Sequence, residues 1–150
     1  MRTKLSITLT DAKAIAAAAA AYAESHEFRV SIAIVDESTY VQHLVRMDGA
    51  PYTSAEGAVE KARTAAEGGH PTTFFEEPLN AGRYSMLKMP HIYPVEGGIP
   101  VIVDGQCAGA IGVSGLLPHL DAAIADAGLK ALDHFPSAAA PASGSGKNVS

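Results

Sequence analysis

The spacing of apolar and polar positions in the first third of the chain predicts one helix followed by a pair of strands. Apolar residues spaced three and four apart predict a helix over about Leu9–Ser25, with Thr8 and Asp11 at the spacing of a capping box. Phe28–Val35 is β-branched and almost continuously apolar, and a polar turn separates it from Tyr40–Met47. These two runs predict a hairpin. Neither face of its second strand is cleanly polar, so we expect a sheet that is covered on both sides.

The strongest local signal is the stretch Val95–Gly115, where two apolar runs flank Asp104-Gly105. Asp-Gly supplies the positive φ angles of a type I′ turn, so a second hairpin is predicted with strands Ile99–Val103 and Cys107–Val113. Glycines recur along its second strand. A strand gives up side chains where another backbone or a ligand approaches closely. Two interpretations stay open: a smooth ligand-binding surface at the end of the sheet, or glycines that only permit close packing of a helix on the sheet or a β-bulge.

Two further helices complete the regular pattern. The first is predicted over Ser54–Glu67, where it stops at a pair of glycines, and the second begins at Pro118 and ends near Phe135. The resulting order is helix, hairpin, helix, irregular segment, hairpin, helix. That order predicts an α+β architecture, in which antiparallel hairpins carry helices on both faces.

The irregular segment His70–Pro94, which we call the connecting segment, contains four prolines and two each of Phe, Tyr, Met and His, without a sustained period. A long irregular connection inside a compact domain is usually functional or mobile. We expect a lid with short helical turns at Thr73–Glu77 and Tyr84–Lys88. The alternative is a structural clamp that covers a sheet face with its aromatic side chains.

Length and composition fit one domain over residues 1–135, followed by a tail over 136–150 that has no apolar period and is expected to be disordered. The net charge is −5, and the 11 Lys and Arg residues are scattered. A nucleic-acid partner is therefore not expected, because its basic stripe is missing. The single cysteine, Cys107, lies in an apolar strand and is expected to be a buried structural thiol.

The two most apolar stretches near the start of the chain do not predict a membrane partner. Ile7–Leu9 is too short for the core of a signal peptide, and Ala14–Ala21 is too short to span a bilayer. We therefore expect a soluble, cytoplasmic protein.

The turn that follows the second hairpin offers a candidate site for an acidic group. Backbone N–H groups from Gly112 to Leu116 lie just ahead of the last predicted helix, where they suit a carboxylate or a carbonyl oxygen. The same turn begins like a nucleophile elbow, but Leu116 stands where that motif needs its last glycine, so Ser114 is not a predicted nucleophile.

The six histidines include no pair at the spacings of zinc-binding helices or fingers, so no metal site is predicted. Haem needs one axial ligand and a large apolar slot. The residues alone do not suggest haem, but the histidines left open as axial ligands, beside the aromatic and methionine residues of the connecting segment, are His26, His70 and His91.

Four motifs in order, RMDGA, EKA-x-TA, GGIP and GAIGVSG, resemble the GlcG/HbpS-like family, also called the haem-degrading domain family, as in the PduO C-terminal domain. The resemblance extends over about Leu5–Phe135. It implies a profilin-like fold with a central antiparallel sheet of about five strands, and homo-oligomers built from it. Some family members bind haem, and others accompany operons for the catabolism of small organic acids or aromatic compounds. The resemblance therefore implies haem as a candidate cofactor.

Positions within these motifs carry over as candidate site residues. Lys61, Arg46 and Asp48 are the candidate catalytic residues, since Arg46 and Lys61 suit a substrate carboxylate, and Lys61 in a dry pocket suits acid–base or imine chemistry. A structural Lys61–Asp48 ion pair is the alternative. The candidate ligand-binding residues, expected around a pocket between the GGIP and GVSG turns, the second helix and the connecting segment, are Thr64, Gly97, Gly98, Gly112, Val113, Ser114 and Gly115.

Three functions follow from these candidates. The first is a small-molecule-binding protein, with haem as the ligand that the family suggests, accessory to a catabolic pathway. The second is an enzyme that acts on a small carboxylated intermediate through Lys61 and Arg46. The third is a structural assembly domain.

Overall fold

The computed structural model describes residues 1–134. Four α-helices and four β-strands follow the predicted order, and two short 3-10 helices extend it at Tyr84–Lys88 and Lys130–His134. The α-helices and strands are α1 (Leu9–Ser25), β1 (Ser31–Asp36), β2 (Val41–Arg46), α2 (Ser54–Gly68), α3 (Thr73–Asn80), β3 (Gly98–Val103), β4 (Gln106–Ser114) and α4 (Pro118–Leu129). The predicted disordered tail, 136–150, lies outside the described residues.

The sheet is antiparallel throughout, in the order β2-β1-β4-β3. The expectation of about five strands is wrong for the described part of the chain, where the two hairpins supply four. Residues before α1 run beside β4 and form the backbone bond Ile7 N to Ala108 O at 2.9 Å, but they do not extend the ladder. The architecture is therefore α+β with one four-stranded sheet.

Helices cover both faces of the sheet, as the two-sided strand pattern predicts. On one face, α1 and α4 bury large aliphatic side chains, including Ile15 and Ile124, against Ile34 and Ile111 of the central strands. On the other face, α2 packs alanines against Ala33 and other small residues of β1 and β4. This second layer is thin because alanine side chains let the helix backbone approach the strands.

Local capping and turn signals are confirmed in detail. Thr8 and Asp11 form the predicted capping box, and α1 has the predicted bounds. Asp104 and Gly105 adopt φ angles of 49° and 74°, as a type I′ turn requires. Within residues 1–134, no helix is both long enough and apolar enough to cross a bilayer.

Candidate functional site

Lys61 lies inside the protein, in an ion pair that the sequence did not predict. Its side chain is 3% exposed, and Nζ donates a hydrogen bond to Asp121 Oδ2 at 2.9 Å and another to the Val113 carbonyl at 3.0 Å. Lys61 belongs to α2 and Asp121 to the first turn of α4, so the pair joins the two helical layers across the end of β4. The alternative of a Lys61–Asp48 ion pair is wrong, because Asp121 takes that place.

Asp121 also accepts hydrogen bonds from the turn after β4. The Leu116 N–H donates to Asp121 Oδ1 at 3.0 Å, and the Gly115 N–H points to the same carboxylate. The carboxylate that these N–H groups hold is therefore the protein's own. Burial raises the pKa of Asp121, while the bonds from Lys61 and the two N–H groups partly oppose that shift.

The glycines near this turn bring α2 onto the sheet. A side chain added at Gly98 would collide with the Lys61 carbonyl, and one at Gly112 would collide with the backbone of Ala58 and Ala62. Gly97 has a φ of 129°, and a Cβ there would lie 2.9 Å from Lys61 Nζ. The close approach predicted for these glycines is therefore made by a helix. A role in ligand binding for these glycines, Val113 and the half-buried Ser114 stays a prediction.

Arg46 and Asp48 are not brought together with Lys61. Arg46, at the end of edge strand β2, is exposed, and its guanidinium lies 5.1 Å from the centre of the Tyr52 ring. Asp48 is exposed in the following turn. A catalytic group made of these three residues would therefore need a rearrangement of the buried pair.

Thr64, another predicted ligand-binding residue, fixes the connecting segment to α2. It is buried, and its Oγ1 accepts a hydrogen bond from the Tyr93 N–H at 2.9 Å. At the other end of the segment, Thr72 and Gly98 exchange backbone and side-chain bonds, including Gly98 N to Thr72 Oγ1 at 3.0 Å. The segment is thus held at both ends.

Between these two anchors the connecting segment is largely solvent-exposed. Of its aromatic side chains only Phe75 is buried, against Gly68 at the end of α2, so the clamp interpretation applies to this one ring. The two short helical turns are confirmed, the first as the longer helix α3. Large apolar side chains remain exposed at Phe74, Tyr84, Leu87, Met89 and Tyr93.

All three candidate haem ligands are on the surface, in different surroundings. His26 Nδ1 lies 2.8 Å from the Tyr22 carbonyl, at the end of α1. His70 stacks on Phe74 with ring centres 4.0 Å apart. His91 Nδ1 lies 3.5 Å from Glu67 Oε1, and its side chain is 78% exposed.

Asp121 and Thr72 are two site residues that were not predicted from the sequence. An acid in the first turn of a helix is common, because it complements the helix dipole, and Asp121 fits that ordinary role in the sequence. Its position just after the glycine-rich turn was the one available signal. Thr72 carried no signal, since its partner Gly98 lies 26 residues further along the chain.

Comparison with known proteins gives a consistent result. A family model described as haem degrading protein HbpS-like matches residues 7–130. Protein GlcG of Escherichia coli strain K12 is 42% identical to this chain over 114 residues, which cover 76% of this chain and 85% of GlcG.

Solved structures agree with the sequence comparison. Klebsiella pneumoniae protein ORFY superposes with a TM-score of 0.86 at 27% identity, over 91% of this chain and 97% of ORFY. A double mutant of HbpS from Streptomyces reticuli superposes with a TM-score of 0.83 at 32% identity, over 89% of this chain and 92% of HbpS.

Proposed function

The chain belongs to the family described as haem degrading protein HbpS-like, and from that premise we propose that it binds haem on its connecting segment. We propose further that it serves as an accessory protein in the catabolism of small organic acids or aromatic compounds, as its GlcG-like motifs imply. The observation that carries the haem proposal is a set of exposed apolar side chains in the connecting segment, which also contains a histidine 3.5 Å from a carboxylate.

The connecting segment has the chemistry that a flat, apolar ring with acidic groups requires. Tyr84 is 73% exposed, Leu87 64%, Met89 42% and Tyr93 38%. Several large apolar side chains left in water within one segment are typical of a binding surface. Arg83 and Lys88 are exposed in the same segment and suit the two carboxylates of haem.

His91 is the axial ligand that this proposal assigns. A carboxylate beside one ring nitrogen orients an imidazole and leaves the other nitrogen for a metal. Glu67 Oε1, 3.5 Å from His91 Nδ1, stands in that relation, so Nε2 is the nitrogen that would meet iron. Bound haem would supply a redox-active iron.

A haem titration followed by absorbance tests the proposal. The wild type is expected to shift the Soret band at stoichiometric haem, and His91→Ala is expected to lose the shift. His119→Ala is the matched control, because His119 is an exposed histidine on α4, away from the connecting segment. Absence of a shift in the wild type would refute haem binding. A shift that survives in His91→Ala but is lost in His26→Ala or His70→Ala would refute the assignment to His91.

The other functions inferred from the sequence stay predictions. The enzyme hypothesis rests on Lys61 and Arg46, and the assembly hypothesis on homo-oligomers. Edge strand β2 supports assembly, because Val41 and Leu44 are 43% and 42% exposed on it. A cytoplasmic location also stays a prediction.

A further inference from the structure

A cavity away from the connecting segment lies where the residues before α1 meet the start of β4. Its volume is about 490 Å³. The Leu5 N–H donates to Gln106 Oε1 at 3.3 Å, and the Ile7 N–H donates to the Ala108 carbonyl at 2.9 Å, so the N-terminal arm is held beside the strand. The cavity is lined by Arg2, Thr3, Lys4, Glu37, Gln106 and Cys107.

Glu37 lines this cavity, and one of its carboxylate oxygens accepts no hydrogen bond from the described part of the chain. Its Oε2 is buried, and no group in residues 1–134 forms a hydrogen bond with it. The pKa of Glu37 is lowered, mainly by the neighbouring Ser6 side chain, with smaller effects from Ser38 and from the Lys4 charge, so the group is an anion at neutral pH. An ionised carboxylate only accepts hydrogen bonds, and a buried acceptor without a donor is costly. An N–H or O–H group of a bound ligand would satisfy this oxygen.

Arg2 and Lys4 bring positive charge to the same cavity. Both side chains are exposed, and neither takes part in the ion pairs formed within the part of the chain that the structure describes. With the two cations and Glu37, the charged groups of the lining have a net charge of +1. Such a lining suits a ligand that carries both a carboxylate and a hydrogen-bond donor.

We propose that this cavity binds a small carboxylic acid with a hydroxyl or amino group on the neighbouring carbon, that is, a 2-hydroxy acid or a 2-amino acid. The donor group of the ligand meets Glu37 Oε2, and its carboxylate meets Arg2 and Lys4. The HbpS-like match begins at residue 7, after both cations. Glu37, Gln106 and Cys107 lie within the match, so the arm and the sheet together line the cavity, which is separate from the proposed haem site.

Cys107 supplies a reporter for the test, because it lines the cavity and is the one cysteine of the chain. Burial raises the pKa of its thiol, so alkylation by iodoacetamide is best followed at mildly alkaline pH. Protection of a site follows 1 + [ligand]/Kd, so ligand at about ten times its Kd slows alkylation about tenfold. The probes are L-lactate, L-alanine and propionate, which share a size and a carboxylate but differ in the donor group.

L-Lactate or L-alanine is expected to protect Cys107, and propionate is not. Protection by lactate alone selects the hydroxy acid, and protection by alanine alone selects the amino acid. Glu37→Met and the double variant Arg2→Gln/Lys4→Gln are expected to lose protection, while Glu77→Met, which changes an exposed acid on α3, keeps it. The proposal fails if neither probe protects, if propionate protects equally well, or if protection survives in Glu37→Met. Haem titration of Glu37→Met is expected to match the wild type, which keeps this outcome separate from the first proposal.

Discussion

Replacing Lys61 by methionine is expected to destabilise the protein strongly, because it leaves the Asp121 carboxylate buried without its cation. The two side chains are 3% and 1% exposed, and Nζ and Oδ2 are 2.9 Å apart. Removing one partner of a buried ion pair typically costs about 3–5 kcal/mol. The free energy of unfolding of a domain is typically about 5–15 kcal/mol. Lys61→Met should therefore remain folded, with a clearly reduced free energy of unfolding. Urea unfolding followed by far-ultraviolet circular dichroism measures the loss.

The loss should depend on pH in a defined direction. Burial raises the pKa of Asp121 above its ordinary value of 3.8, so the folded protein binds this proton more tightly than the unfolded chain. The stability contributed by this group is therefore complete below the ordinary pKa and is lost as the pH rises through the folded pKa. Without the Lys61 cation the folded pKa rises further. The loss of unfolding free energy in Lys61→Met is thus expected to be smallest near pH 4 and to grow towards neutral pH.

The double variant Lys61→Met/Asp121→Asn provides the control. It removes both charges, so it should recover most of the stability lost in Lys61→Met and should lose the extra pH dependence. An unfolding free energy for Lys61→Met within about 1 kcal/mol of the wild type would be typical of an exposed pair and would refute the reasoning. A double variant as unstable as the single one would contradict it as well.

Three further outcomes test the packing, the connecting segment and the assembly. Gly112→Ala should lower the free energy of unfolding in denaturant by about 1–3 kcal/mol, because the added methyl group pushes α2 off the sheet. Gly69→Asn, at a left-handed φ of 67° in open space, should change it little. Equal losses of stability in the two variants would contradict this. Thr64→Val removes the acceptor of the Tyr93 N–H, so hydrogen exchange of that amide should accelerate while α1 stays protected. Leu44→Lys should reduce the mass measured by light scattering if copies associate through β2, and an unchanged mass excludes that edge.

The parts of the fold that could be predicted rest on short-range chemistry. The cap formed by Thr8 and Asp11 and the turn at Asp104 and Gly105 each involve residues within one helical turn or one hairpin loop. Their geometry follows from backbone angles and local hydrogen bonds, which a sequence displays directly. The number of strands in the sheet depends instead on which distant segments complete a ladder. The expectation of about five strands came from the family resemblance, whereas the two hairpins predicted from the sequence supply the four strands observed.

The partner of Lys61 could not be predicted for a similar reason. Asp48, in the RMDGA motif, was the acid considered as its partner, whereas Asp121 lies 60 residues further along the chain than Lys61. Helical periodicity places Lys61 at the edge of the inner face of α2, but it does not show which acid the sheet and α4 bring to that edge. The contact depends on how α2 and α4 pack at the end of β4, where Lys61 also donates to the Val113 carbonyl.

The glycines show how far a strand pattern can be interpreted. Their spacing predicts a close approach to the sheet, and Gly98 and Gly112 have one, but the approaching group is the backbone of α2. Asp121 likewise takes the N–H groups of the turn that were predicted to hold an acidic ligand. Since the protein itself occupies both positions, surfaces outside the paired strands are the better candidates for binding. The connecting segment and the arm before α1 both offer polar or apolar groups that the fold leaves unused, and the haem site and the carboxylic acid site are therefore proposed there.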